Sequence, residues 1–381
     1  MSEIHTTIPA GAAPITGASE LETMIGDTVR RLFTDQVDAA LRQRAEAGEW
    51  PQALWTMAED AGLPLALCSS GRGGSEARWS DAWPIFAGIG RWAVPLPLAE
   101  TMVAAWVLDR AGQNLPAGPI AIATGSAALS LDGGTLSGTL GDVVWAGPCR
   151  WLLTTARTAA RGAPLWVLVD LHAPSARCTP GRSMAGEPRA AVQLARAVPA
   201  AAFAALPGDG ADPLLTLGAL ARSAMLVGAM ESALTSAVEH ANEREQFGRP
   251  LAKFQTIQHA LATAAGELVA ARMAARVAFA SIGSNGPGPT TAFDIAVAKA
   301  RAGQAASRVA ALAHQVHGAI GFTYEHGLNQ ATRRLWAWRQ EFGSDAQWAA
   351  RLGRSAIAHG AAGFWPTLCA RRLDGAAQDK L

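Results

Sequence analysis

Three groups of side chains have types and spacings with chemistry in them. The first is NEREQFGRPLAKFQTIQHALA, Asn242 to Ala262, which sets an arginine, a phenylalanine and two glutamines near its start and breaks on Gly-Arg-Pro before an apolar rhythm resumes. A helix that only had to pack would not need that break, although Arg244 alone is ordinarily a solvated charge and Phe247 with Phe254 ordinarily core. The second is His314 and His317, three apart on one helical face; no third ligand is spaced to join them, so no metal site is expected. The third is the carboxylates Glu231, Glu239 and Glu341, of which Glu231 reads as a solvent-facing charge. Cys68, Cys149, Cys178 and Cys369 lie far apart with no Cys-x-x-Cys, which speaks against a disulfide framework and a zinc cluster. CSSGRGGSEARW is glycine-rich but lacks a following Gly-Lys-Ser/Thr, so it reads as a connector and not a phosphate cradle.

These residues need elements to position them, and the chain divides into zones. Residues 1–20 read as a flexible leader without the basic start and apolar block of a signal peptide. From 21 to 114, helical spacing at Leu21, Met24, Ile25, Val29, Leu32 and Phe33 predicts an amphipathic helix, followed by helices in PQALWTMAEDAGLP and AETMVAAWVLDRAG. From 115 to 208 the runs GPIAIATG, AALSLDGGTLSGTL, DVVWAG, RWLLTTAR and PLWVLVDL, punctuated by glycine turns, predict antiparallel strands in a small barrel or sandwich. From 209 to 381 long helical periods return: Leu220, Ala224, Val227, Met230, Leu234, Val238 and Ala241 in one helix, Phe254, Ile257, Leu261, Ala265 and Leu268 in a second, and a third from about Phe293 to His317 with Thr291 as N-cap. The fold class expected is α+β, mainly α. Half of the 381 residues are hydrophobic and the formal charge is only +1, so a large core is available and no global field draws the chain to nucleic acid or an anionic membrane. No run of 18 apolar residues is present, so no membrane span and a cytoplasmic location are expected.

REQFGRPLAKFQTIQ resembles the flavin-binding signature of acyl-CoA dehydrogenases, an Arg-x-Gln-Phe-Gly followed by Phe-Gln and a further Gln on the next helix. QVHGAIGFTYEHGL, Gln315 to Leu328, is similar to that family's Gln-x-x-Gly-Gly-x-Gly-Phe segment, with Ala319 in place of the second glycine. The resemblance implies an N-terminal helical domain, a middle antiparallel β-barrel and a C-terminal four-helix bundle. It implies FAD as cofactor, with the Arg244 fork on the pyrophosphate, Gln246 in the same signature, and Phe247 and Gln255 on the adenosine side. Gln315, Gly318, Ala319 and Gly321 of a neighbouring subunit, and Ser344, would complete the site, so a homo- or hetero-oligomer is implied. The implied reaction is α,β-dehydrogenation of an acyl-CoA thioester, with an electron-transfer flavoprotein as reoxidant.

The chain departs from the family at the base. Alignment on Gly343 puts Phe342 where many members carry glutamate, and Glu341, one residue earlier, is the best local candidate for the catalytic base. Other members carry the base near the start of the helix before Arg-x-Gln-Phe-Gly, where this chain has Gly218 or Ala219. The family's Thr-Glu-Pro-x-Ala-Gly-Ser-Asp strand motif is missing, and Ala219 replaces a usual arginine. These departures are similar to a divergent branch that acts on sterol or alicyclic thioesters through two unlike subunits. Two functions are therefore carried: an FAD-dependent acyl-CoA dehydrogenase, or a non-catalytic partner subunit of a heteromeric one. A flavin oxidase or monooxygenase on the same fold is a third.

Overall fold

The computed structural model describes residues 17–124, 128–158, 164–204, 213–283, 286–324, 326–371 and 373; most of the expected leader lies outside them. Helices α1 (Glu20–Gln36), α2 (Ala39–Ala47), α3 (Gln52–Asp60), α4 (Trp79–Trp92) and α5 (Leu98–Arg110) come first. Ser19 caps α1, its hydroxyl accepting from Glu22 N at 3.0 Å, and Ile25, Val29 and Phe33 form the buried stripe. Two of these helices escape sequence reading. In α2, AALRQRAEA has too few apolar residues to show a period, and in α4 an internal Pro84 and a nearly continuous apolar run hide it.

Eight strands follow: β1 (Ile120–Ile122), β2 (Leu129–Asp132), β3 (Thr135–Val144), β4 (Trp151–Thr158), β5 (Leu165–Asp170), β6 (Ala176–Arg182), β7 (Pro188–Ala197) and β8 (Ala201–Ala204). Their order is β6-β7-β3-β2-β4-β5-β8, with β1 also on β4. The sheet is mixed, which corrects the antiparallel expectation. β1 and β2 lie one after the other along β4, both parallel to it, pairing Ile120 with Trp151 and Ser130 with Arg157. The other pairings are antiparallel. β6, β7 and β8 lack the branched-residue signature that exposed the earlier strands; β6 contains Pro180 and lies at an end of the sheet, where a missing N–H is tolerated.

The C-terminal zone comprises α6 (Pro213–Glu243), α7 (Gln255–Ser281), α8 (Pro289–His317), α9 (Gly327–Trp338) and α10 (Asp345–Ala370). α8 starts four residues earlier than expected, with Gly288 as N-cap. Thr291 is not the cap; its hydroxyl donates to Ser281 O at 2.7 Å and ties the end of α7 to the first turn of α8. α6 is long and apolar enough to cross a bilayer by composition, but 89% of that window is buried inside the fold. One hydrophobic core runs from α1 through α10, and a second lies within the sheet. α4 and α6 cross backbone to backbone: a Cβ on Gly90 would collide with Met225 O, and one on Gly228 with Ala87 O. Only glycine permits that approach.

Candidate functional site

The Gly-Arg-Pro break is a hairpin between two helices. Glu245–Gln246 pairs antiparallel with Arg249–Pro250, and the turn residues Phe247 (φ 54°) and Gly248 (φ 77°) are both left-handed, as a two-residue type I′ connection requires. Arg244 N donates to His240 O at 2.9 Å, and Leu251 N to Arg244 O at 2.8 Å. The break therefore has a local purpose, to reverse the chain from α6 into α7. It also displays a side chain. Phe247 is 92% exposed, touching Phe254 at its edge with ring centroids 6.2 Å apart, while the Arg249 guanidinium lies 4.2 Å from the Phe254 centroid. A left-handed phenylalanine costs about 1–2 kcal/mol, which so little burial does not offset. Arg244, Gln246 and Gln255 are exposed beside it, and Arg244 enters no ion pair among the described residues.

The second segment caps α8. Gly318 (φ 64°) ends the helix, and Gly318–Phe322 makes a single tight turn with Gln315, Gly318 and Ala319 exposed. Gly321 points the other way. A Cβ there would stand 2.9 Å from His317 Cβ and 3.0 Å from Leu328 Cδ2, so its smallness already serves packing within the chain. The two segments meet through imidazoles: His240 of α6 stacks on His317 of α8 at 4.6 Å, and His326 meets His317 edge-on at 4.8 Å. Arg244 follows His240 by one turn and Gly318 follows His317 directly, so both segments lie at one end of the bundle. His317 has both nitrogens engaged, Nδ1 with Ala313 O at 2.8 Å and Nε2 with Ser236 Oγ at 3.2 Å. Burial pushes it down to about 4, against that backbone hydrogen bond. His314 reaches Thr332 Oγ1 at 2.9 Å, and burial lowers it and His240 too.

The third site is the turn between α9 and α10. Lys299, fully buried in α8, donates from Nζ to Arg339 O at 2.8 Å and Gly343 O at 2.7 Å, and Trp348 Nε1 donates to Phe342 O at 2.9 Å. Burial pushes Lys299 down to about 7. Ser344 is the N-cap of α10 in a reciprocal capping box with Gln347. Within this pinned turn Phe342 is left-handed (φ 52°) and its ring lies against Gly218 of α6; a Cβ on Gly218 would sit inside its van der Waals envelope. The two places where a base was sought, 342 and 218, are thus one place, filled by a phenyl ring. Glu341 faces elsewhere. It is 7% exposed, and its oxygens take ion pairs from Arg189 of β7 and Arg222 of α6. Arg222 pairs in turn with Glu100 of α5, and its guanidinium lies 5.4 Å from the Phe342 centroid. Glu231 is paired with Arg272 and with Arg91 at 3.5 Å on the α6 surface.

Arg222, Glu100 and Lys299 were not found by sequence reading. Their signal was a charge inside an apolar helical run, as Arg222 in LTLGALARSAMLVG and Lys299 in DIAVAKARAG, where burial demands a partner.

Residues 211–357 match the C-terminal domain of acyl-CoA dehydrogenases. The chain is 29% identical over 321 residues to the acyl-CoA dehydrogenase IpdE2 of Mycobacterium tuberculosis strain H37Rv, covering 83% of this chain and 91% of that protein. Among solved structures it is similar to a Tcur3481-Tcur3483 steroid ACAD variant, with TM-score 0.80, 26% identity, and 91% of this chain and 100% of that one covered. The fold also matches the ChsE4-ChsE5 complex from Mycobacterium tuberculosis, with TM-score 0.80, 23% identity, and 90% and 98% of the two chains covered. Taken with the two signature segments and the three-zone architecture, these likenesses show the acyl-CoA dehydrogenase fold, with residues 211–357 as that family's C-terminal domain.

Proposed function

We propose that the chain is a flavin-holding partner subunit of a heteromeric acyl-CoA dehydrogenase, in which a related subunit provides the base for α,β-dehydrogenation of an acyl-CoA thioester. The observation that carries this reading is the Phe342 ring against Gly218, with the space behind it filled by Arg222, Glu100 and Glu341. A base must direct a carboxylate at the substrate's α proton, and here the phenyl ring stands at both positions where the family's base was sought.

The cofactor corner fits FAD in kind. Arg244, Gln246, Phe247 and Gln255 are exposed at the hairpin, as are Gln315, Gly318 and Ala319 at the α8 cap. A planar guanidinium suits the pyrophosphate, an exposed ring suits the adenosine side, and an unobstructed Gly318 lets a backbone come close. Ser344 belongs to this set in the same reading, its hydroxyl beside the turn that holds Phe342. FAD, when bound, supplies the two-electron sink of the reaction. This chain's part is to hold and orient it against a neighbouring subunit. The two-component names of similar structures, Tcur3481-Tcur3483 and ChsE4-ChsE5, support a heteromer, and the first supports a steroid-type acyl thioester. An electron-transfer flavoprotein would take up the electrons.

A second reading, Glu341 as the chain's own base, is favoured by one observation, a nearly buried carboxylate in the same turn as Phe342. One experiment separates the two. The chain is purified alone and after co-expression with a related subunit, and anaerobic bleaching of flavin absorbance by acyl-CoA is followed. The partner reading expects bleaching only in the assembly, unchanged by Glu341→Gln in this chain. Bleaching by the chain alone, slowed by roughly 10²–10⁴ in Glu341→Gln, would overturn it and identify Glu341 as the base.

A further inference from the structure

The outward face of α7 is uncharged where a surface helix is ordinarily polar. Opposite the buried Ala264, Leu268, Ala271 and Ala275, the helix turns out His259, Ala262, Gly266, Val269 and Met273, with Val269 56% and Met273 45% exposed. A helix packed on one side presents charged and polar residues to water on the other. α1 does so, with Glu20, Asp27, Arg30, Arg31 and Asp35 exposed. On α7 the charges are spent within the chain. Glu267 is buried against Arg301 and Arg308 of α8, Arg272 pairs with Glu231 of α6, and Arg276 pairs with Glu22 of α1.

Two observations fit this face to another helix. Positions 259, 262, 266, 269 and 273 step by three, four, three and four, the 3.5-residue repeat of a seam that stays turned toward a second helix. Gly266 lies at the middle of that seam. A Cβ on it would meet nothing within 4 Å, so no packing inside the chain requires glycine there, although glycine weakens a helix interior. At a helix crossing a missing Cβ lets two backbones come close, as Gly90 and Gly228 do where α4 meets α6.

The strip also complements itself. Carrying no charge, it can pack on an identical strip without burying an unpaired ion. An antiparallel crossing at Gly266 about a two-fold axis sets Ala262 against Ala270 and Thr263 against Val269 beside the axis, with His259 against Met273 at either end. We infer that the outward face of α7 is a docking surface for the same face of a second copy of this chain. This contact is separate from the flavin corner and holds whichever subunit carries the base. The strip is only about 20 Å long at 1.5 Å per residue, and offers less than the roughly 800 Å² per partner of a standard interface, so the association is reversible and concentration-dependent.

Sedimentation velocity of the purified full chain from about 1 to 200 µM, a span chosen for micromolar association, tests this. The expected result is a doubling of mass with concentration, with the midpoint moved at least tenfold higher in Val269→Glu and in Gly266→Glu. The second substitution faces open space and replaces glycine with a better helix former, so it should leave the thermal midpoint unchanged or raised while association falls. A merely structural role for Gly266 would not separate the two readouts. In a Cys178→Ser, Cys369→Ser background, Gly266→Cys should oxidise to a covalent dimer faster than Gln304→Cys, exposed on α8. A mass that does not rise with concentration, association indifferent to both glutamates, or equal crosslinking at 266 and 304 would each overturn the assignment. Crosslinking through Gly266→Cys only to a co-expressed related subunit would give the face to that subunit, and would overturn it too.

Discussion

Phe342 and Gly218 are a matched pair: a ring held in the left-handed region by a pinned turn, and a missing Cβ that makes room for it. At this scale the consequence is coupling. Gly218→Ala forces the ring or helix α6 to move and should cost about 1–3 kcal/mol of stability, as overpacking does in a close-packed core. If the Phe342 ring is the cause, Phe342→Ala should recover most of that loss, and a double-mutant cycle from denaturant unfolding should give a coupling of roughly 1 kcal/mol or more. Additive effects would mean the ring does not occupy that space. Neither residue announces its role in the sequence. Glycine in an alanine-rich helix and phenylalanine before a glycine are ordinary, and only their meeting across the fold gives them meaning. The same holds for Glu341 and Arg222, which are 119 residues apart.

At the scale of elements, the ends of α6 and α8 are fastened by neutral imidazoles. His317 packs on His240 and His326, with His314, Arg244 and Glu243 among the titratable groups around the cluster. Burial holds the folded His317 down to about 4, whereas the unfolded side chain titrates near its ordinary 6.5. Between those values the unfolded chain binds more protons, so stability rises with pH across that window. It is fully present above about 6.5 and is lost as pH falls through about 4. Urea midpoints measured from pH 4 to 7 should show this slope, and His317→Gln should flatten it. An unchanged slope would mean that the cluster is not what titrates. The hairpin that follows α6 was only partly legible. Its flavin-signature residues stood out by resemblance, but not the left-handed turn that leaves Phe247 exposed.

For the whole molecule, the main surprise is that the first and last zones share one hydrophobic core. α4 rests on α6 through Gly90 and Gly228, and Glu46 of α2 reaches α9, accepting from Arg333 Nη2 at 2.8 Å and from the Tyr324 hydroxyl, while its carbonyl accepts from Arg182 of β6. N-terminal helices built this way have no separate stability. Gly228→Ala should therefore lower one cooperative thermal transition, seen alike by tryptophan fluorescence and by helical circular dichroism, and not release the first five helices early. Two separated transitions would contradict a shared core.

What the sequence by itself determined is what depends on neighbours along the chain. The 3.6-residue period marked α1 and the long helices of the last zone, branched runs between glycine turns marked β1 to β5, and two short signatures singled out the segments at the ends of α6 and α8. Where local pattern was weak, as in the polar α2, the proline-containing α4 and the alanine-rich β7 and β8, only tertiary packing decided the element. The tertiary structure alone decided that β1 and β2 run parallel to β4, that positions 218 and 342 coincide, and that Glu341 turns to arginines. Each of those outcomes depends on which distant residues share a volume, and a buried charge or a missing Cβ takes its meaning from the atoms folded against it.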